Sequence, residues 1–485
     1  GRATEIMQPT YINSSKGFGL KPSQATLSPY AELVLGEKVV KDLPCRSQLK
    51  YSLIHKDMMD MGTNGRILDD RLYKYVRAKA FRAFAIKPVP VRHIDDIMND
   101  RSLDIRQSSP GIPWQPLFKT RGEVFDSSTA SASIKLYWHM VRRGARVKPP
   151  DCKVLYRAHL TKDDGSPKIR AVYGYPTTLT VGEAQFALPL IKAYIQDKTT
   201  PMAYGFDMAT GGALRLRHEL SPYGYFGCFD FKSFDKMVSK QLIEDAFDIL
   251  LSNIDMCNYE GGGTPNCDGL LAQFDHVKEY FVNTPLRMPN GDRYLKSAGV
   301  PSGSYFTQLI DSIVNWLVVN YSFIKAFGYM PDFVRVFGDD SVIANNKPFS
   351  KWQFCASVGE HTGMVIHPEK GIYTERVDQV EFLGFNICSG FPQRSYRKWI
   401  NLLAHPEWPD QDWDDFASRA VGLFYANAGT NGDFDALCRR VCKLWPFRVK
   451  FNRSMMRMIR VLGLDISEMN PTLPCRVEML CRAMS

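Results

Sequence analysis

Two stretches of this chain put carboxylates where a cation could hold them. Gly338-Asp339-Asp340 lies between the short apolar runs Val334-Arg335-Val336-Phe337 and Ser341-Val342-Ile343. That pattern predicts a β-hairpin with both acids at its tip. Gly338 supplies a turn geometry that side chains resist, and adjacent carboxylates repel each other unless a cation sits between them. Asp230 and Asp235 close the run Tyr225-Phe226-Gly227-Cys228-Phe229, which reads as a buried strand with an acid at its C-terminal edge. An acid there, opposite a second acid-bearing strand, is where a metal site would form. For an isolated Gly-Asp-Asp the plain alternative is a solvated turn.

Positive charge has its own stretch. Tyr156-Arg157-Ala158-His159-Leu160-Thr161-Lys162, a turn at Asp163-Asp164-Gly165 and Lys168-Ile169-Arg170-Ala171-Val172-Tyr173 predict a second hairpin. Alternation puts Lys168 and Arg170 on one face. Two cations side by side cost free energy unless an anion lies opposite, although a wet surface strand would also carry them. Ser108-Ser109-Pro110-Gly111-Ile112-Pro113-Trp114 cannot be regular structure, because two prolines bracket a glycine. Gly299-Val300-Pro301-Ser302-Gly303-Ser304 reads as a flexible loop leading into a helix. That helix has an apolar stripe (Phe306, Leu309, Ile310, Ile313, Val314, Leu317) suited to a core, and its polar members Thr307, Gln308, Asp311 and Asn315 are the functional candidates.

The remaining elements serve to position these residues. Residues 1–60, with Asn13-Ser14-Ser15-Lys16-Gly17 and Lys21-Pro22-Ser23, read as an extended arm that needs a larger body to be ordered. Arg71 to Ile86 is helical, with Lys74, Arg77, Lys79 and Arg82 among aromatics. This suits a nucleic-acid groove or a solvated helix face equally. A helix with Leu242, Ile243, Ala246, Phe247 and Leu250 on one side follows Asp235. Turn signals such as Gly261-Gly262-Gly263-Thr264-Pro265 mark residues 252–295 as an insertion. Val380-Glu381-Phe382-Leu383-Gly384-Phe385 reads as a short strand, and the acidic stretch Glu407 to Asp415 as a boundary. Beyond it the chain is helical and basic, with Arg439, Arg440, Lys443, Arg448, Lys450, Arg453, Arg457 and Arg460.

At 485 residues, 45% hydrophobic and 12% aromatic, the chain is a folded protein with room for two or three subdomains. Sixty-one basic against 51 acidic residues give a formal charge of +10, which favours a polyanionic partner. The eleven cysteines are scattered with no CxxC pair, so we expect reduced, mostly buried thiols and no structural zinc. No apolar run approaches about 18 residues and no signal peptide opens the chain, so the expectation is a soluble, intracellular protein.

Taken together, these segments resemble the viral RNA-dependent RNA polymerases over roughly residues 105 to 390. Asp230 and Asp235 look like motif A, Ser302, Gly303 and Thr307 like motif B, and Gly338-Asp339-Asp340 like motif C. Lys370 sits where motif D carries its lysine, and Phe382-Leu383-Gly384 looks like motif E. Lys168 and Arg170 match motif F, and Ser109-Pro110-Gly111 the motif G loop. The stretch Gly299 to Gln308 is most similar to polymerases of partitivirus-like double-stranded RNA viruses. One position departs from the pattern: Asp311 stands where many positive-strand virus polymerases have Asn. Either Asp311 performs that ribose-selecting task differently or Asn315 contributes to it.

The resemblance implies an α+β right hand of fingers, palm and thumb. The palm would be an antiparallel sheet backed by helices, with motifs A and C on adjacent strands. It divides the chain into an arm (1–60), fingers (61–222 and an insertion, 256–296), palm (223–255 and 297–395) and a helical thumb (396–485). It implies nucleotidyl transfer with Mg²⁺ or Mn²⁺ at Asp230, Asp339 and Asp340. Lys370 would act as general acid. Asp235, Ser302, Gly303, Thr307, Asp311, Asn315, Lys168 and Arg170 would bind the nucleotide, and Ser109, Pro110 and Gly111 the template. RNA, nucleoside triphosphates and a capsid protein would be its partners, in the virion interior or host cytoplasm, with no membrane. Rival readings are a reverse transcriptase, a non-catalytic RNA-binding or packaging protein, and a metal-dependent phosphohydrolase. Asp235 speaks against the first, the intact acids against the second, and nine scattered histidines against the third.

Overall fold

The computed structural model describes residues 2–3, 7–20, 27–62, 65–162, 165–452, 455–456, 458–459 and 464–485. Lys21-Pro22-Ser23, Asp163-Asp164, Arg453, Arg457 and Arg460 lie outside the described residues.

In chain order the elements that matter for the site are β1 (Thr10–Ser14), α1 (Tyr51–Met59), α2 (Arg71–Ala83), β2 (Cys152–Ala158), β3 (Ile169–Gly174) and α3 (Thr177–Gln196). Then come β4 (Tyr225–Cys228), α4 (Lys240–Leu251), α5 (Cys267–Val282), β5 (Pro285–Arg287), β6 (Asp292–Leu295) and α6 (Thr307–Phe327). They are followed by β7 (Phe333–Phe337), β8 (Asp340–Asn345), α7 (Lys351–Thr362), β9 (Ile372–Thr374), α8 (Tyr396–Ala404), α9 (Trp413–Asn427) and α10 (Gly432–Leu444).

The sheet of the acids is four-stranded, in the order β7-β8-β4-β9, and every neighbour is antiparallel. Its strands read as near-continuous apolar runs because both faces are covered. Alternation sends Ile343 of β8 into one core with α6 and α7, while Val342 and Ala344 face a second core. The second core contains Trp399, Phe416, Phe424 and Phe434 from α8, α9 and α10. The apolar stripe of α6 behaves as read, with Leu309, Ile310, Ile313, Val314 and Leu317 fully buried.

A five-stranded sheet, β1-β6-β5-β2-β3, contributes Val154, Ile169, Tyr173 and Leu286 to the same core as α6; only its β5/β2 pairing is parallel. The predicted second hairpin is β2–β3. Ile169 and Ala171 turn inward, leaving Arg170 exposed and Lys168 half-buried on the opposite side. This α+β arrangement, an antiparallel sheet backed by helices and joined to a second sheet and a helical C-terminal part, is the expected fold class.

Several expectations need correction. Among its described residues the arm forms strands at Arg2–Ala3, which pairs with Arg66–Ile67, and at β1. Beyond it the chain folds into Pro29–Leu35, Glu37–Lys41 and α1, because Ile54, Met58 and Met61 bury themselves in the main core. Residues 252–295 are more than a turn-rich insertion. Leu270, Phe274, Val277 and Phe281 give α5 a helical stripe that packs into the same core, and the glycines mark only the loop before it. The run at 380–385 is a tight hairpin, Glu381–Phe382 against Phe385–Asn386. Leu383 and Gly384 both take positive φ (52° and 77°) at its turn. Only Cys152, Cys228, Cys355 and Cys438 are buried. On α2, Arg77 pairs with Asp245 and Asp248, so that cation serves helix packing.

Candidate active site

Register brings the acids together. Cys228 pairs with Val342 on one side and with Ile372 on the other. Continuing the β4–β8 ladder by two residues sets Asp230 level with Asp340. On the other side the ladder ends at Ile372, and Lys370 lies in the short helical turn Pro368–Lys370 just before it. Asp230 and Lys370 are exposed. In the β7–β8 turn only Gly338 of the two central residues has positive φ (59°), the pattern of a type II′ turn.

One face of α6 holds that turn. Gly338 N–H donates to Ser312 Oγ at 2.9 Å, and Asn315 Nδ2 donates to the carbonyls of Gly338 and Asp340, each at 3.0 Å. Gln308 lies against Gly338 so closely that a Cβ there would meet its Oε1 at 2.6 Å. From the opposite side the Leu383 N–H donates to Asp340 Oδ2 at 2.8 Å. Burial raises the Asp340 carboxyl to about 7, with Asp339 and Asp230 adding repulsion. Burial also raises Asp339, and the charge of Asp235 raises it further.

Asp235 and Asp311 form a hydrogen-bonded carboxyl pair. Asp311 is buried and pushed well above the carboxylate range, by burial first and Asp235 second, so it carries the shared proton. Arg170 reaches this cluster from β3, and its charge draws both Asp235 and Asp339 back down. Burial lowers Lys168, and Arg170 lowers it further. The neighbouring His159 is depressed to about 4, by burial and then by Arg170, Lys168, Arg157 and Arg46, so the hairpin end is strongly positive.

The loop before α6 is locked to its surroundings. Thr307 Oγ1 donates to the Pro301 carbonyl at 2.6 Å, and Val300 N–H donates to the Asp235 carbonyl at 2.8 Å. Tyr173 N–H reaches Ser302 Oγ at 3.4 Å. A Cβ on Gly303 would lie 1.7 Å from the Tyr173 carbonyl oxygen, so its bare α-carbon admits the β3 backbone. Ser304 Oγ donates to Glu183 on α3, which also accepts from Tyr305 N–H. The Ser109-Pro110-Gly111 loop packs against the start of α3: the Pro110 carbonyl accepts from Thr177, Pro110 and Gly111 are buried, and Ser109 is half-buried.

The structure thus gathers Asp230, Asp235, Asp311, Asp339, Asp340 and Arg170, with Lys370 at the same sheet end. Asn315 instead supports the turn. Sequence reasoning missed Glu183, Ser312 and the Leu383 amide. A lone Glu in the apolar run Val181–Leu190, and polar residues at 308, 312 and 315 on one helix face, were the available signals.

An all-oxygen donor set suits a hard divalent ion. Carboxylates crowded enough to raise one another fit the placing of such an ion between them. Among the described residues no three acidic, histidine or cysteine side chains already surround one point. No helix among them is long and apolar enough to cross a membrane.

Residues 89–421 match the family described as viral RNA-dependent RNA polymerase. The RNA-directed RNA polymerase of Atkinsonella hypoxylon virus is 26% identical over 431 residues, covering 78% of this chain and 61% of that protein. That of Cryptosporidium parvum virus 1 is 28% identical over 316 residues, 60% of this chain and 57% of that protein. That of White clover cryptic virus 1 is 24% identical over 307 residues, 56% and 48% respectively. The chain therefore spans about half to three-fifths of the length of these curated relatives. The solved Sicinivirus 3Dpol RNA-dependent RNA polymerase superposes on 94% of this chain with a TM-score of 0.70 at 14% identity, a likeness of fold.

Proposed function

Because the chain belongs to the viral RNA-dependent RNA polymerase family, we propose that it synthesises RNA on a viral RNA template, for genome replication and transcription of a double-stranded RNA virus. The observation that carries this reading is the meeting of acids from β4 and the β7–β8 turn with Arg170 from β3. Carboxylates for ions and a guanidinium for phosphates then flank one spot.

On this reading residues 61–222 and 256–296 act as fingers, 223–255 and 297–395 as palm, and 396–485 as thumb. Asp230, Asp339 and Asp340 would hold two divalent ions, Mg²⁺ or Mn²⁺, which supply activation of the 3′-hydroxyl and neutralise the leaving pyrophosphate. Arg170 offers the triphosphate a planar fork and Lys168 a point charge. Lys370, exposed at the same sheet end, donates a proton to the departing pyrophosphate. Protonated Asp311 fixes Asp235 by donating to it, as an Asn amide would. The free oxygen of Asp235 then accepts from the ribose 2′-hydroxyl, the group that distinguishes RNA from DNA precursors. Ser302, Gly303 and Thr307 shape the floor beneath that ribose, and Ser109 with Pro110 and Gly111 borders the template path. The partners are RNA, nucleoside triphosphates and a capsid protein, and the setting is the virion interior or host cytoplasm.

The test is the purified chain with single-stranded RNA, four ribonucleotides and Mg²⁺ or Mn²⁺, its products sized on a gel. Template-length RNA is expected, abolished by chelation. Asp339→Asn should keep its thermal midpoint while synthesis falls by orders of magnitude. A soluble Asp339→Asn variant that polymerises at the wild-type rate would refute the reading.

A further inference from the structure

The strand carrying Arg170 and the turn carrying Asp235 meet on a third element, α1, which precedes the matched region 89–421. Asp57 of α1 accepts the Ala171 N–H through Oδ2 at 2.8 Å and the Lys236 ammonium through Oδ1 at 2.7 Å. Ala171 adjoins Arg170, and Lys236 adjoins Asp235. Asp60 lies 3.9 Å from the same ammonium, and the Gly62 N–H donates to the Lys236 carbonyl at 2.7 Å. One carboxylate therefore ties both polar partners of the nucleotide to a helix that belongs to neither.

We infer that Asp57 is a positioning residue for nucleotide selection: it sets the distance between Arg170, facing the triphosphate, and Asp235, facing the ribose. The inference rests on the polymerase reading for its consequence and on these contacts for its geometry. Asp57 touches no reacting atom. Its pair with Lys236 is mostly shielded, the side chains being 17% and 22% exposed, so bulk salt screens it weakly. Each oxygen serves a different element, so loss of the charge releases the turn while the amide contact to β3 can persist.

Asp57→Asn keeps an acceptor for Ala171 and removes the charge facing Lys236. In single-nucleotide incorporation by the full chain, the expected result is a rise in the nucleotide KM of about tenfold with kcat within about twofold. The preference for ribo- over deoxyribonucleotide should narrow, and template affinity at fixed salt should stay unchanged. Lys236→Met should act alike, and the double variant should be no worse than either single one. An unchanged KM and sugar preference would overturn the inference, as would equal losses in KM, kcat and RNA binding.

Hydrogen exchange supplies a readout that needs no catalysis. In Asp57→Ala, residues 168–174 and 234–238 should gain exchange together while the β7–β8 hairpin keeps its protection. Loosening of one segment alone, or of the whole chain, would overturn the inference. If the wild-type chain makes no RNA while this paired loosening is seen, the polymerase reading fails and the brace stands.

Discussion

Glu183 shows how much chemistry rests on single buried groups. Burial raises its carboxyl to about 8, against an ordinary glutamate value near 4.3 in the unfolded chain. Between those values the folded chain holds a proton that the unfolded chain has released. The stability this group contributes is therefore complete below about pH 4.3 and is lost as pH rises through about 8. Glu183→Gln can accept from Tyr305 N–H and donate to Ser304 without titrating. Urea unfolding of both proteins across this window should show the variant gaining on the wild type toward pH 8, with a slope of at most about 1.4 kcal/mol per pH unit. A constant difference would mean that Glu183 is ionised in the fold. At this scale the sequence was partly legible: the acid pairs announced themselves by type and spacing, since adjacent carboxylates need a reason. Glu183, Ser312 and Asp57 did not, because their partners are backbone amides or side chains far along the chain.

Among the elements, the β7–β8 hairpin depends on α6 for its aim. Asn315 alone satisfies two carbonyls of the acid-bearing turn. Asn315→Ala leaves them without that donor, at an expected stability loss of about 2 kcal/mol in chemical denaturation. RNA synthesis should fall further than global stability explains, because the acids lose their register against Asp230. Strands and the long helix were readable from period-two and period-3.6 patterning. The region 252–295 was misread because glycine punctuation is louder than a four-residue apolar stripe. The Leu383-Gly384 turn was missed because Leu rarely takes positive φ.

Across the whole molecule, the N-terminal segment joins parts that the sequence leaves far apart. Ser28 N–H donates to the Ala404 carbonyl at 2.8 Å, and Arg46 spans the Ala158 carbonyl on β2 and those of His405 and Pro406. Arg157 reaches Glu407, while Asp410 and Asp412 of the same acidic stretch hold Arg419 and Lys450. Glu407, Asp410 and Asp412 are thus engaged within the protein, and the chain as a whole carries a net +10 toward outside anions. If RNA is that anion, five neutralised phosphates on a single strand would weaken binding about a hundredfold between 50 and 200 mM salt. Fluorescence anisotropy with labelled RNA checks this, and a flat response would remove RNA as the partner of the excess charge.

Gly303 and the Tyr173 carbonyl nest so tightly that neither loop can be re-engineered by itself. Grafting a relative's β2–β3 hairpin into this chain would have to bring the matching glycine loop along, and a chimera that splits them should misfold at that seam. The two segments, some 130 positions apart in the sequence, behave as one structural part.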